Sequence, residues 1–98
     1  MARYWVAYDL GLRGDYSKLY EWLDRNKARE CGDGLATIVS KKTRDQIARE
    51  LKEIGGAESN GRIYLISMKE GGKFVLGARR VPPWAGFAQY LVNSEDKL

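Results

Sequence analysis

The residue that invites chemistry is Asp9. It closes the stretch Arg3-Tyr4-Trp5-Val6-Ala7-Tyr8-Asp9-Leu10 and is followed by Gly11-Leu12-Arg13-Gly14-Asp15. The stretch is rich in aromatic and β-branched residues and predicts a first strand, with Asp9 near its C-terminal end and a turn beyond. A carboxylate so placed, on a scaffold that pairs with its own copy, can hold a hard divalent cation such as Mg2+ or Mn2+. Two symmetric carboxylates would supply oxygens, and substrate phosphate and water would complete the shell. Such an ion offsets phosphodiester charge and activates water. The competing reading is a turn carboxylate that accepts loop amides.

The chain contains no histidine. Ser-His-Asp and Cys-His catalysis are thereby excluded, because no imidazole can serve as base. Histidine-ligated zinc goes with them. Any chemistry falls to carboxylates, a metal, tyrosine, lysine or arginine. Cys31 is the single cysteine, so no internal disulfide forms and a cysteine-based structural zinc site is not expected. Beside Gly32 it reads as a small buried hydrophobe.

Basic residues mark candidate phosphate contacts. Arg13 shares the loop after Asp9 and can meet a phosphate bidentately, or stand solvated. Lys41, Lys42 and Arg44 precede or open a second helix, whose positive end adds to their field. The same residues oppose that helix dipole, which suits a plain solvated turn. Arg79 and Arg80 lie beside Pro82-Pro83-Trp84, where a cation next to an aromatic can hold a phosphate and stack a base. The alternative there is a tail that packs Trp84. Tyr4, Trp5 and Tyr8 read as core or dimer-interface residues. With 17 basic and 13 acidic residues the net charge is +4, which permits phosphate contact without requiring it.

The elements that must position these groups follow from periodicity. After a strand at Arg3–Leu10, Asp15 suits an N-cap, and Tyr16, Leu19, Tyr20 and Leu23 share one helical face, with Trp22 beside it. This helix fades near Asn26. Ala28 to Gly32 reads as a second strand, Asp33-Gly34 as a hairpin turn, and Leu35 to Val39 as a third strand. Thr43 and Gln46 have capping-box spacing, and Ile47, Leu51 and Ile54 continue a second helix that Gly55-Gly56 ends. Arg62 to Met68 is a fourth, nearly all-apolar strand. Gly71-Gly72 reads as a turn and Lys73 to Ala78 as a fifth strand. Pro82-Pro83 stops regular structure, and Trp84, Phe87 and Tyr90 populate the tail.

The order β-α-β-β-α-β plus a strand predicts an α+β fold. It is a ferredoxin-like sandwich with two helices on one face of an antiparallel sheet and an extra C-terminal strand. Residues 1–80 form this domain and residues 81–98 an aromatic, Pro-containing tail. At 98 residues with 44% hydrophobic content the chain supports one modest core. No apolar run reaches the roughly 20 residues of a membrane span, and no signal peptide is seen, so the expectation is a cytoplasmic protein without membrane contact. The sheet face away from the helices offers a surface for dimerisation.

The Tyr8-Asp9-Leu10 strand end, the polar loop, the amphipathic helix, the hairpin, the second helix and the Arg62-Ile63-Tyr64 strand together resemble the small CRISPR-associated adaptation proteins. These are the Cas-two family, with its SinR-like and VapD-like relatives. The resemblance spans Arg3 to Met68, and the Trp84-Ala85-Gly86 tail is nearer the SinR-like kind. It implies a ferredoxin-like homodimer. In nuclease members the strand-end aspartates meet across the two-fold axis and bind a divalent metal, a role that falls on Asp9. In adaptation the family acts as a scaffold that bridges integrase dimers and contacts DNA. The hairpin Glu30-Cys31-Gly32-Asp33-Gly34-Leu35 lacks the family's Gln-Ser-Val-Phe type run. Two functions stand as expectations. One is a dimeric nucleic-acid-associated protein, acting as a metal-dependent endoribonuclease or endodeoxyribonuclease if Asp9 is catalytic. The other is a noncatalytic dimerisation or protein-interaction module.

Overall fold

Strand β1 (Ala2–Asp9) holds the centre of the sheet, flanked antiparallel by β3 (Leu35–Ser40) and β4 (Arg62–Ser67). The computed structural model describes residues 1–11, 14–55 and 61–80. Strand β2 (Arg29–Gly32) edges β3 and β5 (Gly71–Leu76) edges β4, giving a five-stranded antiparallel sheet of order β2-β3-β1-β4-β5. Helices α1 (Tyr16–Arg25) and α2 (Arg44–Gly55) complete an α+β domain. The sheet differs from a four-stranded split βαβ sheet in carrying β5 outside β4.

Period-two alternation sorts the strands. Tyr4 and Val6 of β1, Ala36 and Ile38 of β3, and Ile63 and Leu65 of β4 are buried. They form one cluster with Leu19, Trp22 and Leu23 of α1 and Ile47, Ala48 and Leu51 of α2. Full burial of each such large apolar side chain contributes roughly 1.5–3 kcal/mol relative to exposure. Alternate residues Trp5, Ala7, Tyr64 and Ile66 are only half-buried and lie on the face that the helices do not cover.

The helix ends follow the sequence chemistry. Asp15 caps α1, its Oδ1 accepting the Ser17 amide at 3.1 Å. At the other end Asn26 Nδ2 donates to the Trp22 carbonyl at 2.8 Å, and Lys27 turns left-handed at φ 53°. Thr43 and Gln46 close a capping box on α2: Thr43 N donates to Gln46 Oε1 at 2.8 Å and Gln46 N to Thr43 Oγ1 at 3.2 Å.

Several expectations are corrected. Tyr20 stands 52% exposed instead of joining the core, while Trp22 is buried. Cys31 is exposed, because the β2–β3 register shifts between Glu30 and Gly32 and leaves Cys31 outside the regular pairing. Gly71 and Gly72 begin β5. The turn is at Met68–Glu70, where Ser67 Oγ accepts the Lys69 and Glu70 amides, each at 3.2 Å. A second bulge on β5 places Leu76 opposite Ile63 but Phe74 opposite Tyr64. Consecutive Val75 and Leu76 therefore both pack on the core. Arg13 and the tail with Trp84, Phe87 and Tyr90 lie outside the described residues.

Candidate functional site

Asp9 ends β1 directly opposite Arg62 of β4. Its Oδ1 accepts the Gly11 amide at 3.0 Å, the geometry of a turn carboxylate. Its Oδ2 lies 3.9 Å from Arg62 Nη2. The side chain is 63% exposed. Mg2+ and Mn2+ need several hard oxygens in a tight shell. Asp9 offers one carboxylate, already bonded to an amide and facing a guanidinium that repels a cation. Among the described residues no group of three or more His, Cys, Asp or Glu is placed to hold a metal. The described residues around Asp9 in a single chain do not complete such a shell.

The predicted phosphate contacts separate into distinct places. Lys41 is exposed after β3. Lys42 Nζ is clasped by both carboxylate oxygens of Glu50 at 2.8 Å, and Glu50 Oε1 also accepts the buried Trp22 indole N–H at 3.4 Å. Tyr4 donates to the Lys42 carbonyl at 2.7 Å, which fixes this loop to β1. Arg44 Nη1 donates to the Glu70 carbonyl at 2.9 Å and ties α2 to the β4–β5 turn. Lys42 and Arg44 thus brace the fold, with much of their donor capacity used. Arg79 lies over the Phe74 ring, 5.8 Å from its centroid, and Arg80 follows it, exposed.

The uncovered sheet face gathers Trp5 and Arg79, which the sequence singled out separately, with Tyr64, Phe74, Arg3, Arg29 and Arg62, which it did not name as site residues. Register pairs Trp5 with Thr37 and Ile66, Ala7 with Leu35 and Tyr64, and Tyr64 with Phe74. The Tyr64 and Phe74 rings touch, with centroids 4.8 Å apart. Basic groups border them. Arg3 donates to Thr37 Oγ1 at 3.2 Å, Arg29 pairs with Thr37 from β2, and Arg62 and Arg79 lie at the β4–β5 side. A cavity of about 300 Å³ at the Asp9 end is lined by Ala7, Arg62, Tyr64 and Phe74 among others. Alternation of Trp5 against Tyr4 and Val6 was the available sequence signal. The cross-strand register that gathers the arginines was not readable from the linear order.

On the helix side of Asp9 a larger cleft of about 980 Å³ opens between α1 and the β2–β3 hairpin, lined by Tyr8, Tyr16, Tyr20, Glu30 and Asp33 among others. Burial first, then Tyr20, Glu30, Tyr16 and Asp33, holds the Tyr8 hydroxyl above its ordinary pKa. Among the described residues no helix is long and apolar enough to cross a membrane. Comparison with protein-family models, characterised proteins and solved structures finds no match to the chain.

Proposed function

We propose that this chain is a nucleic-acid-associated protein that binds single strands on the uncovered face of a ferredoxin-like sheet. One observation carries the reading: Trp5, Tyr64 and Phe74 share that face with Arg3, Arg29, Arg62 and Arg79. Aromatic side chains on a flat sheet stack bases without regard to sequence, and bordering guanidiniums track the phosphates. The Arg79–Phe74 contact pre-positions one cation beside a ring. The element order β-α-β-β-α-β, with β1 between β3 and β4, supports the ferredoxin-like architecture, β5 being an addition at the edge. Metal-dependent cleavage through Asp9 would need a second copy to bring another carboxylate to it, as in the family the sequence resembles.

Ile66, Leu35 and the 44% exposed Val39 make the same face partly apolar, which favours a second reading, a homodimerisation or protein-interaction module. Salt separates the two. Anisotropy of labelled single-stranded RNA and DNA should show affinity falling steeply with salt, since each phosphate neutralised contributes a slope of about 0.7 on logarithmic axes. Trp5→Ala or Tyr64→Ala should weaken binding by about 1–3 kcal/mol. Absence of binding, together with salt-insensitive self-association, would replace the nucleic-acid reading by the interaction module.

A further inference from the structure

The cleft between α1 and the β2–β3 hairpin lies on the other side of the sheet from the arginine face. Glu30 pairs with Ala36, which faces the helices, whereas Arg29 pairs with Thr37 on the uncovered face. The cleft has an aromatic wall. The Tyr8 and Tyr20 rings meet edge to face at 6.2 Å, and Tyr16 and Tyr20 lie 5.6 Å apart. Tyr20 is 52% exposed, so part of its ring is open to the cleft that it lines. Tyr16 is held in place because its hydroxyl accepts the Leu10 amide at 2.9 Å. The rim is acidic through Glu30 and Asp33 of the hairpin, Asp9 at the end of β1 being already countered by Arg62, and the described lining contains no lysine or arginine.

We propose that this cleft binds an organic cation, an alkylammonium of the polyamine class, against the faces of Tyr8, Tyr16 and Tyr20 with Glu30 and Asp33 as counter-charges. A ring face carries negative quadrupole density and attracts such a cation, and an alkylammonium suits it better than a metal ion because its methylenes also cover the ring. A compact, strongly hydrated ion would find no tight oxygen shell there. Burial is the main cause that raises the Tyr8 hydroxyl pKa, and Tyr20, Glu30, Tyr16 and Asp33 add to it, so the carboxylates' field is the lesser part. The hairpin carboxylates disfavour phosphate there, while Tyr8, Asp9 and Gly34 also border the smaller cavity at the Asp9 end of the other face.

The test is calorimetric titration of the full chain with spermidine and with tetramethylammonium, each at matched ionic strength. Ring-proton shifts of the tyrosines locate the site. The expected result is saturable spermidine binding that moves the Tyr8, Tyr16 and Tyr20 resonances. Tyr20→Leu should weaken it about fivefold or more by removing an exposed π face that the core does not use. The pair Glu30→Gln with Asp33→Asn should weaken it as well, and an asparagine ahead of Gly34 still suits the hairpin turn. Thermal melting checks that the variants remain folded. Absence of ring-proton shifts overturns the site. Binding lost with the carboxylates but unchanged in Tyr20→Leu also overturns it, because that pattern is attraction to charge alone.

Discussion

Asp9 and Arg62 face each other across the β1–β4 pair, with Oδ2 3.9 Å from Nη2, while Asp9 Oδ1 takes the Gly11 amide at 3.0 Å. The carboxylate therefore does two jobs: it orders the turn after β1 and it counters a guanidinium at the end of the arginine face. Asp9→Asn keeps an oxygen for Gly11 and removes only the charge. An exposed ion pair of this length is worth about 0–1 kcal/mol, so melting should hardly change. With Arg62 no longer countered, single-strand affinity should rise and its salt dependence steepen. Arg62→Gln should do the opposite and lower the salt slope by about one contact's worth, roughly 0.7. Anisotropy across a salt series measures both.

Glu50 joins three elements by accepting from Lys42 at 2.8 Å and from the Trp22 indole at 3.4 Å. The two partners predict unequal losses. Lys42→Ala removes an exposed charge and should cost about 0–1 kcal/mol. Glu50→Ala also leaves the N–H of a buried tryptophan without its acceptor and should cost about 1–3 kcal/mol. Urea unfolding of both variants decides the order. A larger loss for Lys42→Ala would show that the carboxylate serves the lysine alone.

The pattern of what could be read from the sequence follows from the range of each interaction. Caps are local: Asp15 with Ser17, and Thr43 with Gln46, were legible from spacing and stand as expected. The strands β1 and β4 were legible because aromatic and β-branched content in the one, and a nearly continuous apolar run in the other, are local features too. Tyr20 was misplaced because it sits one residue after Leu19, at the border of the apolar stripe, where periodicity does not say how far a neighbouring sheet reaches. The bulges at Cys31 and at Val75 depend on cross-strand register and leave no local mark. For the same reason Arg3, Arg29 and Arg62 gave no cluster in the sequence, although the sheet brings them to one face. The basic run around Lys42 and Arg44 was visible, but not that Glu50 and the Glu70 carbonyl would take up its charge and donors.

Gly34 makes the hairpin possible. Its φ is +70°, and a Cβ there would lie 2.6 Å from the Tyr8 carbonyl oxygen. Its own carbonyl accepts the Tyr8 amide at 2.7 Å, extending the β1–β3 ladder to the lip of the tyrosine cleft. Gly34→Ala meets both a left-handed backbone penalty of about 1–3 kcal/mol and a contact with backbone that cannot rotate aside. The variant should lose at least that much stability, and amide exchange at Tyr8 should accelerate. Gly71→Ala is the control: φ is +78° but nothing lies within 4 Å of the added Cβ, so only the backbone penalty applies.

The pH dependence has two limbs with opposite signs. At the acid end, the Ser17 hydroxyl bond, opposed in part by desolvation, and then the Ser17 amide, the Lys18 charge and the Lys18 amide hold the Asp15 carboxyl below its ordinary value of 3.8. The folded chain binds fewer protons there than the unfolded one, so stability from this cap is present above that value and is lost as pH falls through the folded pKa. Asp15→Asn retains a capping oxygen and should remove this part of the acid limb. At the alkaline end, burial and the neighbouring Tyr20, Glu30, Tyr16 and Asp33 raise Tyr8 above 10.0. Between the unfolded and folded values the folded chain holds the proton that the unfolded chain has released, so stability declines as pH rises past that point. Tyr8→Phe cannot ionise and should flatten the decline, while Glu30→Gln should only reduce it, because burial is the larger cause. Melting curves across both limbs check these signs. An alkaline decline unchanged in Tyr8→Phe would assign the lost stability to other tyrosines or to the lysines.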